Sequence, residues 1–350
     1  MISTLFERIS ERQHEQVIFC TDKASGLRAI IAIHNSALGP ALGGCRIKAY
    51  TSEDEALKDV LLLSEAMTYK SAAAGLDLGG GKSVVMLDHP SQKTPALLHA
   101  LARRIHSLKG SYIGAGDIGS NTHDLALMRQ ITPWVTGLAR EDGGLGDSSI
   151  LTALGVFRGI QAAVKEKLRT EDLKGIRVAM QGAGKVGLRV LEHLHQAGCR
   201  IWLTDVSPET LREAQSRFSG IQMIAPDAFW DLQVDVISPN AIGGVITQPI
   251  AQKVKASVIA GGANNILADA ESGQILMERG ILYAPDFVIN CGGVIMVGCE
   301  FSKKTFEDAR LQTEAVYDRI TAVFHEAKAE GIPTEEAAKR LALKRITAKL

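Results

Sequence analysis

A glycine-rich stretch, Gly75–Ser83, holds a lysine in a setting suited to chemistry. Lys82 directly follows three consecutive glycines. Glycine carries no side chain, so backbone at such positions can approach a small ligand closely, and the lysine ammonium becomes the dominant group there. The ending Gly-Lys-Ser also occurs in phosphate-binding loops, but their pattern, G-x-x-x-x-G-K-[ST], would require a glycine in place of Leu76. The stretch therefore favours a small-ligand site of another kind; a flexible turn with a solvated lysine is the open alternative.

Two more charged residues lie beside glycines or at the ends of predicted elements. Apolar residues at helical spacing predict a helix over 52–70, so Lys70 lies near its C-terminal end, where the helix dipole favours a cation. Asp117 lies in a glycine-rich turn after a predicted strand. A cation at a helix end and an aspartate in a turn also have ordinary structural explanations. Taken together, the three positions make Lys70, Lys82 and Asp117 candidates for one site.

A second glycine pattern, G-x-G-x-x-G, follows a predicted strand over 176–181 and opens a predicted helix over 188–196. Its residues are Gly182, Ala183, Gly184, Lys185, Val186 and Gly187. This context is typical of a dinucleotide site, in which the first glycine permits a tight turn, the second lets the pyrophosphate approach amides at the helix N-terminus, and the third allows close packing. Asp205 ends the next predicted strand. Its carboxylate should accept hydrogen bonds from the ribose hydroxyls and repel a 2′-phosphate, which favours NAD over NADP.

The composition limits the classes of partner. The chain has 350 residues, enough for two domains, and 39 basic side chains balance 39 acidic ones, so neither nucleic acid nor a membrane surface is an expected partner. Five scattered cysteines without C-x-x-C spacing indicate free thiols and no metal site. No apolar run approaches the length of a membrane span, and no secretory signal is visible. We expect a cytoplasmic protein that acts on a small molecule.

The predicted elements describe an α/β protein with two domains. The first half contains two paired strands, a glycine-rich turn and further strands and helices; its predicted segments are strands 16–20, 27–33, 45–49 and 84–87, the turn 39–44 and the helix 94–109. After a polar hinge near 141–149, strands alternate with helices, which predicts a parallel, doubly wound Rossmann sheet. A long helix over 307–330 precedes a basic closing helix. We predict a substrate domain over 1–138, a nucleotide domain over 139–332, a cleft between them, and a return of 333–350 to the first domain.

The chain resembles the amino acid dehydrogenase family, most closely its leucine, valine and phenylalanine branch. Seven motifs occur in family order over nearly the whole chain: 39–44, 67–70, 79–82, 117–119, 181–184, 263–265 and 284–290. The resemblance implies NAD-dependent oxidative deamination of an L-amino acid to its 2-oxo acid and ammonia. It also implies a homo-oligomer.

The resemblance implies a role for each candidate residue. Lys70 would bind the substrate carboxylate, Asp117 would hold the amino group and move protons, and Lys82 would be the base that activates water. Burial and the Lys70 cation would both favour the neutral amine that a base requires. The remaining implied contacts are backbone approach to the substrate at Gly43 and Gly44, and orientation of the nicotinamide half of the cofactor by Thr152 and Asn264.

The family comparison also predicts an apolar substrate. Glutamate enzymes have a lysine at the position of Leu42, and a leucine leaves an acidic side chain unpaired. The implied pocket residues are Leu42, Ala115, Val294 and Val297. Phenylalanine enzymes tend to have glycine at 115 and leucine at 297, so the alanine and valine here resemble the leucine type, with valine and isoleucine as further substrates.

Four departures from the family pattern, one of them a glycine at 116 where a larger polar residue is frequent, leave alternatives open. Asn240, Cys291 and Met296 differ from the usual residues at positions near the implied cofactor and substrate. Phenylalanine or another aromatic amino acid is therefore an alternative substrate. A catalytically silent NAD-binding regulator is the alternative of another class, although the presence of Lys70, Lys82 and Asp117 argues against it.

Overall fold

In the computed structural model, which describes residues 4–349, the strands form two separate sheets. The strands are β1 Gln16–Asp22, β2 Leu27–Asn35, β3 Ala41–Ala49, β4 Gly79–Leu87, β5 Tyr112–Gly116, β6 Arg177–Gln181, β7 Arg200–Thr204, β8 Gln222–Met223, β9 Val236–Pro239, β10 Val258–Ile259 and β11 Leu282–Tyr283. The α-helices are α1 Leu5–Glu11, α2 Glu53–Ala73, α3 Pro95–Ser107, α4 Thr122–Arg129, α5 Ser149–Leu168, α6 Lys185–Gln196, α7 Pro208–Arg217, α8 Gln248–Lys253, α9 Ala270–Glu278, α10 Asp286–Ile289, α11 Gly292–Phe301, α12 Phe306–Glu314, α13 Val316–Glu330 and α14 Thr334–Thr347.

The chain divides into two units that each contain one sheet. The first unit contains the residues up to Ser148, then Val294–Asp308, and the residues from Ala342 onward. The second contains Ser149–Gly293 and Ala309–Leu341. Residues 1–3 and 350, which belong to the predicted first domain, lie outside the described residues. Within residues 4–349, no helix combines the length and the apolar character that crossing a membrane requires.

The sheet of the first unit has the order β1-β2-β4-β3-β5, with β1, β2 and β4 antiparallel and β4, β3 and β5 parallel. Helices cover both of its faces. Alternate residues of β2 point to opposite faces, so Ile31 packs with Leu101 of α3, and Ile30 packs with Val60 of α2. Burial on both faces explains why β2 is a nearly continuous apolar run.

The sheet of the second unit is entirely parallel, with the order β11-β10-β9-β6-β7-β8. The order reverses between β6 and β9, which is the switch point at which doubly wound sheets bind ligands. The predicted α/β class and the doubly wound sheet are confirmed. Two predicted elements are wrong in detail: the turn 39–44 and the single helix 307–330.

The predicted glycine turns before β3 and β4 are largely strand. Gly43 and Gly44 lie within β3, and the three glycines before Lys82 begin β4, so Lys82 lies inside a strand and not at its entrance. A Cβ atom at Gly43 would overlap the carbonyl oxygen of Gly81 on the neighbouring strand. These glycines therefore allow backbones to approach, a role that glycine also has within strands.

The predicted helix over 307–330 is two helices, α12 and α13, interrupted at Ala315. The guanidinium of Arg319 donates to the carbonyl oxygen of Gln312 at 3.0 Å. In a continuous helix that oxygen would accept from the amide four residues later. Gly331 then ends α13 with a φ of 66°, in the left-handed region that favours glycine.

Two buried histidines connect α2 to the start of the first sheet. A ring nitrogen of His14 lies 2.8 Å from the hydroxyl of Ser64, and His34 lies 2.8 Å from the hydroxyl of Thr68. The ring centroids of the two histidines are 4.8 Å apart. Burial, and then the proximity of His34, lower the pKa of His14 from its ordinary value of 6.5 to about 4.

This pair predicts a loss of stability in acid. Because the pKa of His14 is lower in the folded state, its contribution is complete above 6.5 and is lost as the pH falls toward 4. From about pH 7 to about pH 5, the free energy of unfolding should fall by roughly 2 kcal/mol more in the wild type than in His14→Gln. Urea unfolding at each pH measures the difference. Equal pH dependence in the two proteins would contradict it.

Candidate active site

Lys82 and Asp117 form a buried ion pair in the first unit. Lys82 lies in β4 and Asp117 directly follows β5, and the Lys82 Nζ is 2.5 Å from the Asp117 Oδ2. Gly44 of β3 lies beside both groups, since a Cβ atom added there would lie 2.7 Å from the Asp117 Cβ and 3.1 Å from the Lys82 Nζ. The glycine therefore leaves the room in which the two side chains meet.

Arg46 is a second cation on Asp117, and the sequence prediction missed it. Its Nε donates to the same Oδ2 at 3.1 Å, while its Nη1 lies 3.0 Å from Asp59. Burial acts to raise the pKa of Asp117, but the attraction and hydrogen bond of Lys82, together with the attraction of Arg46, outweigh it and hold that pKa below its ordinary value. The available signal was position: Arg46 is two residues beyond Gly44, so it shares that face of β3.

Tyr112 holds the backbone of β3 by a hydrogen bond, and the sequence did not indicate it either. Its hydroxyl donates to the carbonyl oxygen of Gly43 at 2.9 Å and lies 3.2 Å from the hydroxyl of Ser83. Burial raises the pKa of this phenol well above its ordinary value, so the hydroxyl keeps its proton and remains a donor. The backbone of Gly43 is thereby fixed where the resemblance places the substrate.

Lys70 lies on α2, which packs against β4, the strand of Lys82. A Cβ atom at Gly80 would overlap the backbone amide and the hydroxyl of Thr68, so helix and strand are in direct backbone contact there. Lys70 lies two residues beyond Thr68 in the last turn of α2, as predicted. Gly80 thus sets the distance between the helix that bears Lys70 and the strand that bears Lys82.

The predicted pocket residues all belong to the first unit. Ala115 is the register partner of Gly44, and Leu42, which is fully buried, is the partner of both Ile113 and Gly80. Val294 and Val297 lie one helical turn apart on α11. Gly137 lies between Val297 and Gly116. A Cβ atom added to Gly137 would be 3.4 Å from the Cγ1 of Val297 and 3.8 Å from the amide nitrogen of Gly116. Val297 therefore lies close to the end of β5.

Glu300 fixes α11 to the segment that follows α4, and no spacing in the sequence indicated it. Its carboxylate accepts from the amides of Gly137 at 2.7 Å, Leu138 at 3.1 Å and Leu145 at 3.0 Å. The Thr136 hydroxyl donates to the same carboxylate at 3.1 Å and to the carbonyl oxygen of Val297 at 2.9 Å. These bonds hold Val297 in place.

The glycine motif of the second unit lies at the switch point of its sheet. Gly182 has a φ of 94°, and a Cβ atom at Gly187 would overlap the carbonyl oxygen of Gly182, so both positions require glycine. A Cβ atom at Gly184 would meet nothing within 4 Å, which leaves the N-terminus of α6 open. Lys185 and Val186 begin that helix.

Asp205 forms hydrogen bonds that hold the same glycine loop. Its Oδ2 accepts from the Ala183 amide at 2.8 Å, and its Oδ1 accepts from the Ser207 amide at 2.8 Å. The carboxylate therefore lies directly beside the glycine turn, as a dinucleotide site requires.

Asn264 and Asn290 contact each other near the glycine motif of the second unit, and Thr152 lies beside Gly292, two residues beyond Asn290. The Nδ2 of Asn290 donates to the Oδ1 of Asn264 at 3.0 Å, and a Cβ atom at Gly292 would lie 2.9 Å from the Thr152 amide nitrogen. Asn290 directly follows α10. Its Oδ1 is buried and has no hydrogen-bond partner among residues 4–349.

These features fit a nicotinamide dinucleotide. The open helix N-terminus at Gly184 suits the pyrophosphate. The sheet order and the glycine loop are those of a dinucleotide-binding α/β protein, whose first unit contains a close lysine–aspartate pair.

Two family models match the chain. One, described as "Glu/Leu/Phe/Val dehydrogenase, dimerisation domain", matches residues 14–133, and the other, described as "Glutamate/Leucine/Phenylalanine/Valine dehydrogenase", matches residues 202–349. The chain belongs to this family of amino acid dehydrogenases. The family resemblance seen in the sequence is confirmed.

Its relatives differ in their substrates. Leucine dehydrogenase of Geobacillus stearothermophilus is 45% identical over 342 residues, which cover 98% of this chain and 93% of that protein. Phenylalanine dehydrogenase of Caldalkalibacillus thermarum is 41% identical over 350 residues, covering 99% and 94%. The crystal structure of L-tryptophan dehydrogenase from Nostoc punctiforme matches with a TM-score of 0.88 at 40% identity, covering 99% of both chains.

The crowding around Gly44 predicts that even one methyl group there abolishes the site. In Gly44→Ala the new Cβ would displace Asp117 or Lys82, and amino acid dehydrogenase activity should fall at least about 100-fold, the cost of misplacing reacting groups by about 1 Å. Gly116→Ala is the matched control, because its Cβ would meet only Leu125, at 3.5 Å. Similar activity in the two variants would refute the geometric argument.

Proposed function

We propose that the protein catalyses the reversible, NAD-dependent oxidative deamination of an apolar L-amino acid, namely leucine and also valine and isoleucine. In the forward direction, amino acid, water and NAD⁺ give the 2-oxo acid, ammonium, NADH and a proton. The observation that carries the proposal is the buried contact between Lys82 and Asp117 in a space bounded by glycine. Such a pair can hold and move protons, which this reaction requires.

The chemistry divides among the residues of the first unit. A bound nicotinamide, held by the second unit, would supply the hydride acceptor for the substrate Cα. Lys70 binds the substrate carboxylate as a fixed cation, and Asp117 holds the amino group. In its neutral form, Lys82 takes a proton from the water that attacks the substrate iminium, and the 2.5 Å contact provides a path between the resulting ammonium and Asp117.

The pocket residues support an apolar side chain on the substrate. Leu42 is buried and offers no charge to a carboxylate, so an acidic substrate would lose its hydration without compensation. Ala115 and Val297 add apolar surface beside the site. An aromatic amino acid is the second candidate, because phenylalanine and tryptophan dehydrogenases are nearly as similar to this chain as the leucine enzymes are.

Asp205 supports NAD as the cofactor. Its carboxylate lies beside the loop at Ala183, where a 2′-phosphate would meet a negative charge. We also propose a homo-oligomer, since the model matched by residues 14–133 is described as a dimerisation domain. The buried free thiols Cys20 and Cys45 agree with a cytoplasmic setting.

A substrate panel tests the proposal directly. The rate of NADH formation is measured with leucine, valine, isoleucine, phenylalanine and tryptophan, and with NAD⁺ or NADP⁺. The proposal expects the highest kcat/KM for leucine with NAD⁺. A large preference for phenylalanine or tryptophan would establish the second candidate, and no turnover with any of them would support a regulatory NAD-binding protein.

Removing the base should separate catalysis from cofactor binding. Lys82→Ala should lower kcat by about 1,000-fold or more, because the general base is lost along with the partner of Asp117. NAD⁺ affinity, measured by calorimetry, should change little, since the glycine loop belongs to the other unit. Lys339→Ala, at an exposed ion pair on α14, is the control and should keep full activity. Substantial turnover in Lys82→Ala would refute its role.

Two pocket positions should control the choice between leucine and phenylalanine. Ala115→Gly combined with Val297→Leu should raise the ratio of kcat/KM for phenylalanine over leucine by about 10- to 200-fold, the range expected for a change of one or two methyl groups. Both substrates use the same Lys70 and Lys82, so the ratio isolates the pocket. An unchanged ratio would show that these two positions do not contact the substrate side chain.

A further inference from the structure

The amide of Asn290 faces three oxygen atoms. Its Nδ2 lies 3.3 Å from the carbonyl oxygen of Gly262, 3.3 Å from that of Ala263 and 3.0 Å from the Oδ1 of Asn264. Asn290 is 3% exposed, so these contacts are shielded from water. Two of the three oxygens belong to the main chain and cannot be replaced by donors.

This arrangement fixes the orientation of both side-chain amides. A main-chain carbonyl can only accept, so the Asn290 atom that faces Gly262 and Ala263 must be the nitrogen. The Asn264 atom that faces this nitrogen must then be its oxygen, because two amide nitrogens would repel each other. The Nδ2 of Asn264 is therefore directed away from Asn290.

The loop that carries Asn264 is held from two sides. The Oδ1 of Asn240 accepts from the Gly262 amide at 2.8 Å, and the Nδ2 of Asn240 donates to the carbonyl oxygen of Ser238 at 2.8 Å. Asn290 holds the carbonyl side of the same glycine. Asn240 thus fixes the backbone, while Asn290 alone of the two also contacts the Asn264 side chain.

We propose that Asn290 is a positioning residue that sets the amide of Asn264, so that Asn264 presents an N–H donor to the nicotinamide half of the cofactor. The inference rests on the proposed function. Asn290 acts through Asn264, and its effect should appear only with a ligand that contains the nicotinamide. It should also disappear when Asn264 has no amide to orient.

The experiment measures the dissociation constants of NAD⁺ and ADP-ribose, which lacks the nicotinamide, by calorimetry on the full chain. Asn290→Ala should weaken NAD⁺ binding about 3- to 10-fold, the worth of one hydrogen bond, and ADP-ribose binding less than about 2-fold. In an Asn264→Ala background, Asn290→Ala should change NAD⁺ binding less than about 2-fold.

Asn240→Ala is the matched control, because it removes a bond to the same loop without touching the Asn264 side chain. The change that Asn240→Ala makes in the dissociation constant of NAD⁺ should be the same whether or not Asn264 is replaced by alanine. If Asn290→Ala does not fold, as judged by thermal unfolding, Asn290→Asp retains the volume. It places an oxygen against the three acceptors and should weaken NAD⁺ binding more than the alanine variant would.

Two results would overturn the inference: equal weakening of NAD⁺ and ADP-ribose, or an Asn290→Ala effect on NAD⁺ that persists without the Asn264 amide. Failure of the proposed function would be recognised separately. A wild-type protein that binds NAD⁺ but oxidises no apolar amino acid would contradict the proposed reaction, while the binding measurements would still decide the role of Asn290.

Discussion

The contact between Lys82 and Asp117 constrains the structure around it. Removing two charges from water costs several kcal/mol per ion unless each keeps close partners, and this pair keeps them within 2.5 Å, with Arg46 as a third charge at 3.1 Å. The three groups come from neighbouring strands of one sheet. Their approach is possible only because Gly44 has no side chain, and Gly43 and Gly80 allow the strand and helix backbones around them to come close. The meeting of the three charged groups therefore depends on both the strand order and the glycines.

The sequence was most informative where a motif had a defined context. Gly182, Gly184 and Gly187 follow a strand and open a helix, and the structure has them there, at the switch point of a parallel sheet. A flexible turn at the glycines before Lys82 stays open in the sequence because glycine is common both in turns and where two backbones approach. Composition cannot separate these cases, since the difference depends on what lies opposite, which for Gly43 is Gly81.

The supporting residues were beyond sequence reasoning for a related reason. Tyr112 and Glu300 act on groups distant in the chain, and a tyrosine or a glutamate in isolation predicts nothing about its partner. For Arg46, only its position two residues beyond Gly44 was a signal. In the sequence, Asn290 is only one residue of the family motif over 284–290. Its importance follows from the three oxygens around its Nδ2, a property of the fold that no local pattern contains. The roles of Lys70, Lys82 and Asp117 came from the family resemblance. The residues themselves showed only that three charged groups lie beside glycines or at the ends of predicted elements.

The account requires Lys82 and Asp117 to act as one unit, and a double-mutant cycle in kcat tests this requirement most directly. Lys82→Ala, Asp117→Asn and the combined variant are assayed with the best substrate of the panel. If the two groups exchange protons across their contact, removal of either disables the other, and the combined variant should be about as slow as the slower single variant. Losses that multiply, so that the combined variant is slower by the product of the two single effects, would show that the groups act independently and would contradict the account.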